Sequence, residues 1–305
     1  MRWFLVMALA LLLPAVMGRG AEPVAGRIVY SRKDGDRVIL HVMNADGTGD
    51  HPLPGLTAPV NIFPAWSPDG KRIAFTSGSS LEDEQNYQVC VIDADGKNRK
   101  TLNLPHRLAA FPAWSHDGKR LAFAAGEEYE KLKIYTCDPD GNGLQQLKDS
   151  NGVRPFWSPD DKQLGYSRIP DPPNNCDLVL VKADGSGEEV LFAANNSVAG
   201  PGGFSGDGKK LLFLAFDSVT VKMRLGSWDF SAKSEQILNE SDFGVLRNWR
   251  EAPVPCWEGS GKSLLMVLPS DKNLGVFRLG EDGKIVTRLT PEGVDCLQAD
   301  WTGKS

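Results

Sequence analysis

Two stretches of the 305-residue chain carry the residue types of a phosphate-binding loop, Gly259-Ser-Gly-Lys-Ser263 and Thr302-Gly-Lys-Ser305. Such a loop wraps phosphate in backbone amides and needs Gly-x-x-x-x-Gly-Lys-Ser. Its first glycine is Cys256 in one stretch and Gln298 in the other, so neither qualifies. Asp93-x-Asp95-Gly96 and Asp138-x-Asp140-Gly141 place carboxylates at alternate positions, as a calcium loop does, but without the third carboxylate or the distal Glu. The equivalents Asn44–Gly47 and Lys182–Gly185 lack the first Asp, which suits a hairpin turn. Four histidines are available for acid–base work: His41 in a strand, His51 at the start of another, His116 in a turn, and His106 in a loop. No Gly-x-Ser-x-Gly nucleophile elbow is present, since Gly202-Gly-Phe-Ser-Gly-Asp-Gly208 is a turn. The expectation is a non-enzymatic protein with no metal and no cofactor.

The elements that must position these residues come from a repeat. Phe63–Gly78 (FPAWSPDGKRIAFTSG) is nearly rewritten as Phe111–Gly126 (FPAWSHDGKRLAFAAG), and weaker copies follow at Arg154–Arg168, Gly202–Phe216, Val254–Leu268 and Gln298–Ser305. The anchors are Trp66, Trp114, Trp157, Phe204, Trp257 and Trp301. A period of about 40 to 50 residues marks a ring or solenoid of repeats. Each copy reads as strand A ending at the anchor, a Ser-Pro-Asp-Gly turn, strand B, a variable loop, strand C, an Asp-Gly turn and strand D. Four antiparallel strands at that period make a propeller blade. The segment from Gly26 supplies strands B, C and D without an anchor, and the last residues supply an anchor with nothing after it. The fold expected is therefore an all-β, six-bladed propeller over residues 26–305, closed by the C-terminal strand beside the first N-terminal one, which hides two edges.

The PxWSPDGKxIAF pattern with its downstream Asp-Gly turn resembles the propeller repeats of the TolB family, themselves similar to WD-repeat blades. The resemblance runs over about residues 26–305 and implies a propeller that engages a partner in the cell envelope. The family's α/β domain is not expected in the residues before Gly26, so a Tol-system role is not expected to come with the fold.

Arg2 followed by an apolar run from Trp3 to Met17 and small residues at Gly18, Gly20 and Ala21 reads as a signal peptide, residues 1–20, with an uncleaved anchor as the alternative. The run is shorter than the roughly 20 residues of a membrane span. Cleavage would leave a periplasmic or secreted monomer that does not span the membrane. Thirty-four basic against 39 acidic residues, a net charge of -5, argue against nucleic acid. Five cysteines, Cys90, Cys137, Cys176, Cys256 and Cys296, show no close pair; Cys256 with Cys296 is the pair whose bridging depends on register.

The anchors and turns are read as architecture, because a residue set repeated around a ring cannot converge on one site. Binding is expected on the face of the B–C and D–A loops, whose lengths vary. Asn61, Arg107, Arg154, Ala199, Arg250 or Glu251, and Asp295 are expected to ring the channel mouth, three arginines making it positive for a carboxylate or acidic peptide. His106 is the histidine nearest that face, and the loop Asn239–Val254 contains Trp249 flanked by Arg247 and Arg250. The partner expected is a protein, a peptide or an envelope polymer. The alternatives are a metal-dependent polysaccharide lyase or hydrolase with its site in the channel, and a structural subunit with an apolar patch on an outer D strand.

Overall fold

The computed structural model describes residues 26–169, 177–192, 197–217, 222–241, 254–258, 261–270 and 273–303. Its strands in chain order are β1 (Arg27–Asp34), β2 (Arg37–Asn44), β3 (His51–Pro52), β4 (Val60–Trp66), β5 (Arg72–Gly78), β6 (Gln88–Asp93), β7 (Lys100–Thr101), β8 (Leu108–Trp114), β9 (Leu121–Gly126), β10 (Lys133–Cys137), β11 (Gln145–Gln146) and β12 (Gly152–Trp157). There follow β13 (Gln163–Arg168), β14 (Asp177–Lys182), β15 (Glu189–Phe192), β16 (Ser197–Phe204), β17 (Lys210–Asp217), β18 (Lys222–Asp229), β19 (Ser234–Ser241), β20 (Cys256–Trp257), β21 (Ser263–Ser270), β22 (Asn273–Gly280), β23 (Ile285–Arg288) and β24 (Asp295–Thr302). β8–β11, β12–β15, β16–β19 and β20–β23 each form a four-stranded antiparallel blade. An eight-stranded sheet holds β24 and β1–β7; its halves meet at one parallel pair, Val38 with Val60. β24 pairs antiparallel with β1 from Arg27–Thr302 to Lys33–Asp295, so the C-terminal strand completes the N-terminal unit. No helix among the described residues is long and apolar enough to cross a membrane.

The conspicuous turn residues close the A–B hairpins. Ser67 Oγ donates to Asp69 Oδ1 at 2.7 Å and accepts from Arg72 N at 2.9 Å, while Gly70 takes a φ of 68°. Ser115 with Asp117, Ser158 with Asp160, and Ser205 with Asp207 repeat the bond. The Ser115 hydroxyl, with the Lys119 amide, holds the Asp117 carboxyl below its ordinary range. The carboxylates with a calcium-like spacing serve the C–D turns: Asp95 accepts from Lys97 N, and Asp138 from Asp140 N and Asn142 N. Asp140 Oδ1 also accepts from Lys100 Nζ of β7 at 3.0 Å.

Each anchor packs between its own strands and those of the preceding unit. Trp66 lies among Val29, Leu40 and Val42 on one side and Ile73 and Phe75 on the other. Trp114 joins Val89 and Val91 to Leu121 and Phe123; Trp301 packs against Tyr30 and Met43 together with Leu265 and Val267. A guanidinium from the preceding blade covers three of these indoles, Arg27 over Trp66 at 4.6 Å, Arg72 over Trp114 at 4.8 Å and Arg120 over Trp157 at 4.2 Å. Arg27 and Arg120 also donate to the carbonyls of Gly70 and Asp161 in the next turn. Burial and cation–π contact thus join neighbouring blades at the same residue.

Candidate functional site

Strands β4, β8, β12, β16, β20 and β24 surround a channel of about 480 Å³. Its lining includes the residues three before each anchor, Phe63, Phe111, Arg154, Pro201, Val254 and Gln298. A β-bulge explains this in three blades. Pairing shifts between Ile62 and Ala65, between Ala110 and Ala113, and between Val153 and Phe156. Phe63, Phe111 and Arg154 within the bulges adopt φ values of 51°, 60° and 55°. That backbone is costly for a residue with a Cβ and re-aims the side chain away from the sheet. The amides freed by the bulge find side-chain acceptors, Phe111 N on Thr76 Oγ1 at 3.1 Å and Phe63 N on Gln298 Oε1 at 3.4 Å.

These residues make a waist. The Phe63 and Phe111 rings lie 4.3 Å apart, and the Arg154 guanidinium stands 5.9 and 5.7 Å from their centroids. Arg154 is only 6% exposed. The 480 Å³ space also borders A–B turn residues, including Ser67, His116 and Glu258. A second cavity of about 80 Å³ shares Phe63, Phe111 and Gln298 with it and is bounded by Lys33 and by Leu81, Tyr87 and Tyr129, the last three from B–C connections. Tyr87 folds inward across Gly78, where an added Cβ would come within 2.3 Å of its ring.

The titratable groups along the larger space are committed to structural bonds. Glu258, 1% exposed, accepts from Arg278 Nε and Nη2 at 2.8–3.0 Å and from Ser263 Oγ, and Arg278 also donates to Ala45 O across the seam. Asp300 Oδ2 accepts from Trp66 N at 2.7 Å, and burial pushes its carboxyl up to about 6. His116 Nδ1 lies 3.4 Å from Asp161 Oδ1. Burial raises the Cys256 thiol well above its ordinary value, which leaves it a poor nucleophile. Away from the channel, Tyr30 Oη and His41 Nδ1 converge on Asp50 Oδ1 at 2.9 and 3.0 Å. Burial holds the phenol up and the imidazole down, so both act as neutral donors bracing β1 and β2 against the turn that leads to β3. No group of three or more His, Cys, Asp or Glu able to hold a metal ion occurs among the described residues.

Among the described residues, those expected at the mouth stand in different surroundings. Arg154 enters the channel, but as part of the waist. Asn61 is fully buried, donates to Val38 O and Ala58 O and accepts from Ser77 Oγ, so it clamps the junction of β2 and β4. Asp295 Oδ1 accepts from Leu274 N at 3.0 Å. His106 packs tilted against Tyr135, ring centroids 4.7 Å apart, and approaches Glu127, while exposed Arg107 donates to Asn86 Oδ1; neither lines a cavity described above. The reason is register: these residues stand at mixed distances from their anchors, and the channel lining begins at the third position before each anchor. Counting back three would have found Phe63, Phe111 and Gln298. Arg247, Trp249, Arg250, Cys176 and residues 1–20 lie outside the described residues. Cys90, Cys137, Cys256 and Cys296 are free thiols. Cys256 and Cys296 stand one and five residues before their anchors, an offset of about 13 Å along a strand, too far for a bridge.

Comparison with known proteins agrees with this architecture. Residues 24–245 match the TolB beta propeller domain. The Tol-Pal system protein TolB of Nitrosomonas europaea is 49% identical over 51 residues, 17% of this chain and 12% of that protein's length. The crystal structure of TolB from Acinetobacter baumannii superposes with a TM-score of 0.75 at 19% identity, covering 92% of this chain and 67% of that one. Oligogalacturonate lyase from Vibrio parahaemolyticus superposes at 0.53 and 10% identity, covering 87% and 74%. Likenesses at such identities speak for the fold alone. With the repeated turns, the sealed anchors and a match over more than half its length, the chain belongs to the TolB beta propeller domain family.

Proposed function

We propose that the chain is a non-enzymatic binding propeller of the cell envelope, periplasmic or secreted after loss of residues 1–20, acting as a monomer on a protein, peptide or envelope polymer. Residues 26–305 form one domain of six blades in this reading. The count is supported by the six anchors and by dividing the eight-stranded sheet at its single Val38–Val60 contact. The observation that carries the binding role is the commitment of the channel's ionisable groups to Arg278, Trp66 N and Asp161, which leaves an aromatic waist for recognition. Loop lengths that vary along the B–C and D–A face favour that face for the partner. The resemblance to Tol-Pal TolB makes an envelope protein the first candidate.

Two other readings have specific support. The structural-subunit reading draws on Val190, Ile237, Ile285 and Val286, the exposed large hydrophobics among the described residues, all on outer strands. A metal-dependent polysaccharide lyase or hydrolase draws on the fold likeness to oligogalacturonate lyase.

Capture from an envelope extract by the full mature chain separates the readings. Trp249→Ala and Arg107→Glu should weaken capture on the loop face, whereas Ile285→Lys should not. Capture lost on Ile285→Lys alone would favour the subunit. Capture lost on His116→Glu alone would move binding to the A–B turns. Release of unsaturated sugars from oligogalacturonate, read by their ultraviolet absorbance, would favour the lyase.

A further inference from the structure

The cavity on the loop side of the waist has the composition of a small ligand site. Its walls are apolar, from Leu81, Tyr87, Leu108, Ala110 and Tyr129 over the Phe63–Phe111 pair. Two polar groups border it. Gln298 is 6% exposed and its amide orientation is set, because Oε1 accepts from Phe63 N at 3.4 Å. Nε2 is thereby a donor, and it makes no hydrogen bond among the described residues. Lys33, exposed at the end of β1, lines the same cavity and forms no ion pair among the described residues.

Size and charge define the occupant. The cavity measures about 80 Å³. A dry cavity of about 150 Å³ accommodates benzene, so a ring is too large here and a branched chain of three or four carbons fits. A cation and an amide donor beside an apolar well suit a carboxylate attached to that chain, because charge-assisted bonds to a carboxylate are the stronger kind. We propose that this pocket binds a short branched aliphatic carboxylate, with the alkyl group in the apolar well and the carboxylate between Lys33 Nζ and Gln298 Nε2. The same chemistry is offered by a free short-chain acid and by the C-terminal Leu or Val of a peptide. Binding here is independent of protein capture, and either can hold without the other.

Titration of the full mature chain, followed by ligand-observed NMR, tests the site with isovalerate, isoamyl alcohol, N-acetyl-Ala-Leu and its C-terminal amide. Isovalerate should bind with a Kd on the order of 1 mM, as expected of a ligand of so few atoms. Lys33→Met should weaken it about tenfold, and Ala110→Leu, which fills the well, should abolish it. Since Ala110 is buried, Leu81→Trp fills the well from its rim as a second variant, with near-ultraviolet circular dichroism reporting the fold. Isovalerate binding without the peptide identifies a free acid; tighter binding of N-acetyl-Ala-Leu, with its amide inert, identifies a chain end. Both uphold the site. Failure of both acids to bind, equal binding of isoamyl alcohol, or undiminished binding to a folded well-filling variant overturns it.

Discussion

The arc of the ring built from β24 and β1–β11 and the arc built from β12–β23 share one plan and carry it out differently. In the first arc the outer strands are the exposed dipeptides His51-Pro52, Lys100-Thr101 and Gln145-Gln146. In the second, β15, β19 and β23 run for four to eight residues and carry Val190, Ile237, Ile285 and Val286, 41–64% exposed. The residues that reach the next anchor differ as well: Arg27, Arg72 and Arg120 of the first arc cover Trp66, Trp114 and Trp157, whereas the second arc holds Gln163, Lys210 and Ser263 at the equivalent positions, before Phe204, Trp257 and Trp301. Where the repeat is kept, its residues close the ring and the outer edge is short and polar. Where it decays, the outer strands lengthen and display apolar side chains, which natural edges ordinarily avoid.

The largest test of that difference is a pair of truncations. Trp157, 3% exposed and under a guanidinium, should lose about 3–5 kcal/mol on Trp157→Ala, as buried aromatics do. Trp257, less completely buried, should lose about half as much on Trp257→Ala. Guanidinium denaturation of both variants measures this. Equal losses would mean that the arginine-capped anchors are no stronger than the rest.

At the seam where β24 meets β4, within the first arc, the expected effect depends on pH. Asp300 has a folded value of about 6, above the ordinary 3.8, so ionising it in place costs stability. Its contribution is complete below about pH 4 and is lost as pH rises through 6, at up to about 1.4 kcal/mol per unit of pKa difference. The turn aspartates, Asp117 and Asp138 among them, are shifted the other way and lose their contribution as pH falls below the ordinary carboxylate range. Wild type compared with Asp300→Asn isolates the seam from His41, whose depressed value adds stability as pH rises toward 6.5. Unfolding midpoints from pH 4 to pH 8 should converge toward a constant offset above pH 7. An unchanged slope in Asp300→Asn would remove the seam carboxylate from the account.

The architecture was legible because it is written repeatedly: Trp-Ser-x-Asp-Gly fixes a wedge residue and a closed turn from local chemistry, and the missing first anchor is supplied by Trp301 in β24. The channel was harder to read. Its lining depends on a bulge that turns Phe63, Phe111 and Arg154 inward, and nothing about Phe-Pro-Ala-Trp announces a positive φ at its first residue. Asn61 and Asp295 were attractive as polar residues near a mouth, yet the structure uses them to satisfy buried backbone groups, a need invisible until the strands are paired. Gln298 is the reverse case, an inconspicuous residue made notable by the amide it accepts from a neighbouring blade.

Two departures from the repeat that looked like unrelated decay prove to be one arrangement across the junction of the arcs. His116 stands where Pro68 and Pro159 stand in other turns, and Asp161 where Gly70, Gly118 and Gly208 stand. His116 supplies an amide that proline lacks, and the Asp161 carboxylate accepts from His116 N at 2.7 Å and Asp117 N at 2.8 Å. Asp161 keeps the left-handed φ of 57° that glycine adopts more cheaply, so the bonds must offset that strain. Asp161→Gly should therefore lose only about 1 kcal/mol, two hydrogen bonds less the relieved strain. His116→Pro removes one donor and should lose a similar amount. The double variant restores the ordinary pair of turns and should lose less than the sum, by about 0.5 kcal/mol or more. A denaturation cycle on the four proteins gives the coupling directly, and strict additivity would show that His116 and Asp161 vary independently and that the junction has no lock of its own.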